Sequence, residues 1–141
     1  MFAPSQSDVR KFFCEAFRKS FANEILTPIE AIAADWIRDH PEYDDTLRNL
    51  DQALTTNYSV DEGRTNPFLH LSMHLSISEQ ISVDQPNGIR SIFLALANKL
   101  NSEHEAQHQI MECLGEMMWV AQRSGTPPDG AAYIEALRKR L

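Results

Sequence analysis

Apolar side chains recur along this chain at intervals of three and four, the spacing that gathers them on one face of an α-helix, and no segment alternates as a strand. Val9, Phe12, Phe13, Ala16, Phe17 and Phe21 define a first amphipathic helix, opened by Ser5 or Ser7. Thr27-Pro28-Ile29-Glu30 is a capping box with proline at the first helical position. Ile29, Ile32, Ala33, Trp36 and Ile37 are the expected buried stripe of that second helix, which Pro41 ends. Tyr43, Leu47, Leu50 and Leu54 suggest a shorter third helix, and residues 55–66 carry turn formers without a period and read as a loop. Three further helices are expected, from Asn66-Pro67 to about Val83, from Ile89 to Leu100, and from the Ser102 cap, with Glu105 in the box position, to about Ser124-Gly125. A short last helix holds Tyr133, Ile134, Leu137 and Leu141. The expected fold is all-α: a helical bundle with a four-helix core and additional short helices, formed by residues 1–141 as a single domain.

The charge balance narrows the partners. Twenty acidic against 13 basic side chains give −7, which repels phosphate backbones and anionic lipid headgroups, so neither nucleic acid nor a membrane surface is expected. The longest apolar run, Ile92 to Ala97, is too short to span a bilayer. Met1 to Asp8 shows neither the basic nor the apolar region of a secretory signal. Cys14 and Cys113 make no disulfide framework and sit inside apolar helical patterns, which suits a reduced, cytoplasmic protein with both thiols packed in cores.

Four of the five histidines form two matching pairs. His70-Leu71-Ser72-Met73-His74 and His104-Glu105-Ala106-Gln107-His108 are both H-x-x-x-H. Residues four apart on a helix lie one turn apart and about 40° around the axis, so each pair can aim at one point. Imidazole pairs at this spacing chelate transition metals. A helical wheel sets His70 and His74 in the middle of an apolar face with Leu69, Leu71, Met73, Leu75, Ile77 and Ile81, where an unsatisfied imidazole would cost a few kcal/mol. His104 and His108 lie beside the apolar arc of their helix, and Glu112 follows one turn after His108. If the three helices from Asn66 to Gly125 form two tight hairpins, the first and third run parallel and both pairs fall at one end.

Candidate metal ligands are therefore His70, His74, His104 and His108, with Glu112 as ligand, orienter or base. Zinc is the expected cation, with iron or manganese after it. A carboxylate-rich di-iron centre fits poorly, because Glu105-Ala106-Gln107-His108 supplies E-x-x-H once while Leu71 stands where a second glutamate would be needed. Three protein ligands with an open position would allow hydrolysis through bound water, and four would make a structural site. Against this stands a reading of a different class: a non-catalytic interaction or scaffold module whose histidines are hydrogen-bonded core residues. His40, beside Pro41, is expected to interact with a helix C-terminus, and Glu30 to serve its cap.

Several blocks carry a resemblance as a set: Ala31 to Ile37 with His40-Pro41-Glu42-Tyr43, Asn66-Pro67-Phe68-Leu69-His70 with His74, Glu79-Gln80, Asp84-Gln85-Pro86 and Gly88-Ile89-Arg90. The set continues with His104 to His108, Met111 to Glu116, and Gln122-Arg123-Ser124-Gly125 before Pro127-Pro128-Asp129. Over essentially its whole length the chain resembles a bacterial family designated domain of unknown function 1841. That resemblance implies a small stand-alone bacterial protein and no particular activity, substrate or cofactor. At fold level there is an analogy with helical bundles of the DNA-damage-inducible type, which hold a metal with histidines at one end; analogy of fold licenses no reaction.

Overall fold

The computed structural model describes residues 5–58 and 66–141, and among them there are eight α-helices, one 3₁₀ turn and no strand. The chain is all-α. No helix among these residues is long and apolar enough to cross a membrane. Most of the loop expected over 55–66 lies outside the described residues, as does Met1–Pro4. Contacts divide the chain into two compact units, Met1–Leu75 and Ser76–Leu141, with the boundary inside the helix Pro67–Val83.

The first unit holds α1 (Gln6–Phe21), α2 (Pro28–Arg38), the 3₁₀ turn Pro41–Tyr43, α3 (Asp44–Arg48), α4 (Leu50–Thr55) and the first half of α5 (Pro67–Val83). Ser5, not Ser7, caps α1: its hydroxyl accepts from the Asp8 N–H while the Asp8 carboxylate accepts from the Ser5 N–H. The box at α2 forms as expected. Glu30 accepts from the Thr27 N–H at 2.9 Å, Thr27 returns the bond, and Lys19 of α1 reaches the same carboxylate at 3.1 Å. The single helix expected over 43–54 is broken at Asn49, whose extended backbone stops α3 and whose side chain accepts from the Gln52 N–H to start α4. Asparagine competes for backbone N–H groups and is better placed at a cap than inside a helix.

The core of this unit comprises Phe13, Cys14, Ala16, Ala33, Ile37, Leu47, Ala53, Phe68 and Leu71. Ile29 and Ile32, expected on the buried stripe of α2, are instead exposed, as is Phe21; Ala33, Ala34 and Ile37 supply the buried face. One cation also lies inside. Arg10 is 8 % exposed, its guanidinium donates to the Ala53 and Thr56 carbonyls at 2.7 and 2.8 Å, and it lies 5.4 Å from the ring centres of Tyr58 and Phe68. It thus ties α1 to the C-terminus of α4.

The Thr27 N–H, followed by Lys19, holds the Glu30 carboxyl below the ordinary glutamate range. A depressed carboxyl adds stability that is present above its unfolded pKa and lost as pH falls through its folded one. Glu30 is therefore expected to contribute fully at neutral pH and to lose its contribution below about pH 4.5. Urea unfolding of wild type and Glu30→Gln across that range checks this: the gap between them should narrow as the medium is acidified, and a constant gap would refute it.

The second unit holds the rest of α5, α6 (Ile89–Leu100), α7 (Glu103–Ser124) and α8 (Gly130–Arg138), packed on Ile77, Ile89, Leu96, Ile110, Tyr133 and Leu137. The expected turn over 84–88 is fixed by Asp84, whose carboxylate accepts from the Gly88 and Arg90 N–H groups, while Arg90 donates back to the Ile81 and Ser82 carbonyls. Gly88 and Gly125 take positive φ, the first opening α6 and the second ending α7 in a left-handed cap. Ser102 caps α7 by accepting from the Glu105 N–H. The Tyr133 hydroxyl donates to Gln80 at 2.8 Å and joins α8 to α5.

Candidate metal centre

In the first unit the helical pair of α5 meets a third imidazole. Asn66 caps the helix through the Phe68 and Leu69 N–H groups, which sets the phase at which His70 and His74 emerge. The two residues are one turn apart, and their Nε2 atoms lie 3.1 Å from each other. His40 enters from the segment after α2, and its Nε2 lies 3.1 Å from His70 Nε2. Ring centres are 4.8 Å apart for His40–His70 and for His70–His74, and 4.9 Å for His40–His74. His70 Nε2 thus lies 3.1 Å from the Nε2 of both His40 and His74.

The walls are aromatic. Trp36 stacks on His74 at 4.0 Å and 11°, and Tyr43 stacks on His40 at 5.3 Å and 2°. His74 is 0 % and His40 3 % exposed, while His70 is half-buried. Burial pushes the Tyr43 phenol above its usual range, with Glu42 adding to the effect, so it stays neutral.

Proton placement follows from the partners. His40 Nδ1 lies 2.7 Å from the Trp36 carbonyl oxygen, an atom that only accepts, so Nδ1 carries the proton. In the neutral ring Nε2 is then a lone pair, turned toward His70 and His74. This is the arrangement in which a metal-bound histidine is usually held: one nitrogen oriented by a backbone carbonyl, the other presented to the ion. A cation between the rings would take a lone pair from each. The 3.1 Å spacings lie close to the roughly 3.3–3.5 Å between ligand nitrogens of a tetrahedral zinc site.

His40 was legible in the sequence only as a helix-end residue. It does bind the α2 terminus, since Trp36 is its partner, and with that bond made it also faces the pair on α5. The signal for the second role was the aromatic and histidine content of Trp36-Ile37-Arg38-Asp39-His40.

In the second unit His104 and His108 stand on the first turns of α7, half-buried, with ring centres 4.4 Å apart and one ring nitrogen of each within 4.8 Å of the other's. Glu105 Oε1 lies 3.8 Å from His108 Nδ1. Gln107, between them in sequence, is buried and donates to the Ser78 hydroxyl at 3.1 Å. Glu112 lies on the exposed side of α7, where its carboxylate accepts from Arg140, which also donates to Gln109.

Fold and cluster together define an all-α protein carrying a group of largely buried imidazoles. The sequence places it further. Residues 5–139 match the family described as domain of unknown function (DUF1841), and the chain belongs to that family. No curated protein and no solved structure matches it.

Proposed function

We propose that this chain is a metal-binding protein whose centre is built on His40, His70 and His74. Zinc is the first cation to test, and iron or manganese follow. The reading rests above all on the convergence of the three Nε2 atoms, with the His40 lone pair turned inward by the Trp36 carbonyl. All three donors are imidazoles, a set that suits zinc and the later first-row metals. A cation held with one position open would supply Lewis acidity and an activated water, so hydrolysis is the reaction class to screen. The chain's own part is to orient the donors and exclude bulk water. In this reading Glu112 anchors Arg140 and is not a ligand.

Trp36 provides the test. It is one of two tryptophans and stacks on His74, so a paramagnetic ion bound there should quench it. In a Trp119→Phe background, one equivalent of copper(II) is expected to remove most of the remaining emission, and the same addition to Trp119→Phe/His74→Phe to leave it. Equal quenching in both would contradict the assignment.

One observation favours the interaction module as a second reading. Met118, Trp119 and Val120 are consecutive and exposed on α7, with Arg123 over the indole at 5.0 Å. Exposed apolar side chains of this size suit a protein partner.

A further inference from the structure

Between α7 and α8, both in the second unit, runs a groove of about 270 Å³. Chain punctuation creates it. Gly125 ends α7 in a left-handed cap, Pro127 and Pro128 cannot continue the helix, and Asp129 starts α8 by accepting from the Ala132 N–H at 3.1 Å. The chain has then turned back, and α8 packs on α7. The floor of the groove is uncharged: Cys113, Ala121 and Tyr133 are buried there, and burial pushes both the thiol and the phenol up, so both stay protonated. Met117, Val120 and Pro127 add apolar walls. The charged lining residues are Glu116 on α7 and Asp129 at the head of α8, both acidic and both exposed. The capping bond takes one Asp129 oxygen, and a carboxylate has acceptor sites on two. Arg140, which acts on the Cys113 thiol, is held by Glu112 and Gln109.

We infer that this groove binds a small amphipathic cation, its apolar body on the Cys113–Tyr133 floor and its protonated amine at Glu116 and Asp129. Charge and size select that occupant together. An apolar floor with carboxylates at its lip fits a ligand that is apolar along its length and positive at one end. The net charge of −7 adds a general attraction for cations. The volume lies close to the lower end of small-ligand clefts, about 300–1,000 Å³, so the body is a short alkyl or aryl-alkyl chain. No histidine lines this groove, so the metal reading and this one fail separately.

Three probes with one apolar body and different heads test it: phenylbutylamine, phenylbutanol and phenylbutyrate, which are positive, neutral and negative at neutral pH. Each is titrated into the isotope-labelled full chain while amide NMR shifts are followed. The expected result is saturable movement of the Met117, Val120 and Ala132 amides, with a dissociation constant for the amine of about 1 mM or lower. The amine should bind about tenfold tighter than phenylbutyrate, the scale of two exposed charge contacts, and the alcohol should fall between them. Glu116→Gln/Asp129→Asn should bring the three affinities together, since it removes both charges while asparagine keeps the α8 cap. Ala132→Phe, a change at an exposed lining position, should fill the groove and abolish binding of all three. Wild-type protein that shows no saturable shifts, or that binds the amine and phenylbutyrate equally, would overturn the inference. A wild-type dimer that Ala132→Phe converts to monomer in sedimentation would overturn it too, by giving the groove to a second copy of the chain.

Discussion

Replacing His74 by phenylalanine is expected to lower zinc affinity at least about a hundredfold while leaving the metal-free protein close to wild-type stability. Losing even a residue that orients a ligand costs 10–100-fold in affinity, and losing the ligand costs more. Phenylalanine keeps a flat ring against Trp36 at a site with no exposed surface, so packing is largely retained. Alanine removes both. His74→Ala should therefore unfold about 2–4 kcal/mol more easily even without metal, through lost packing and the cavity left behind. Thermal melts with and without zinc separate the effects: at a thousandfold excess over its dissociation constant zinc should stabilise wild type by about 4 kcal/mol and His74→Phe hardly at all. If zinc raised the melting temperature of both proteins equally, His74 would not be a ligand.

The second large effect lies away from the histidines. Arg10→Met is expected to destabilise the first unit by about 3 kcal/mol, since each charge-assisted hydrogen bond is worth about 1.5–3 kcal/mol and the change leaves the Ala53 and Thr56 carbonyls without their donor. The contacts with Tyr58 and Phe68 go as well. Arg10→Lys should recover only part of the loss, because one ammonium on a flexible stem does not reproduce the guanidinium fork. Urea midpoints at neutral pH decide this, and a midpoint for Arg10→Met within 0.5 kcal/mol of wild type, the ordinary scale of a surface substitution, would contradict it.

These cases show what the sequence could convey. The Thr27–Glu30 box was legible because both partners lie within one turn of each other, and local geometry is set by local sequence. The same holds for Ser102 before α7. Asn49 carried a cap signal that the apolar spacing of Tyr43, Leu47, Leu50 and Leu54 overrode, and the helix breaks there because its side chain takes the Gln52 N–H. Arg10 was illegible: a cation on a helix is read as solvated, and only tertiary packing brings the α4 carbonyls to it. Ile29 and Ile32 show the reverse, apolar side chains at helical spacing that the first unit leaves outside.

The candidate site divides in the same way. His70 and His74 were visible as a pair aimed at one place because their separation is a property of one helix. His40 stands thirty residues earlier, and its approach depends on the angle at which the chain leaves α2. Glu112 lies in helical phase with His108, but phase says nothing of competing cations, and Arg140 claims the carboxylate.

The most direct test of a metal centre is metal content. Protein purified without a histidine tag is analysed by mass spectrometry for wild type and His74→Phe side by side. The account predicts close to one equivalent of zinc, iron or manganese per wild-type chain and almost none in the variant. Wild-type protein that carries no metal, even after reloading under reducing conditions, would contradict it and return the histidines to the core.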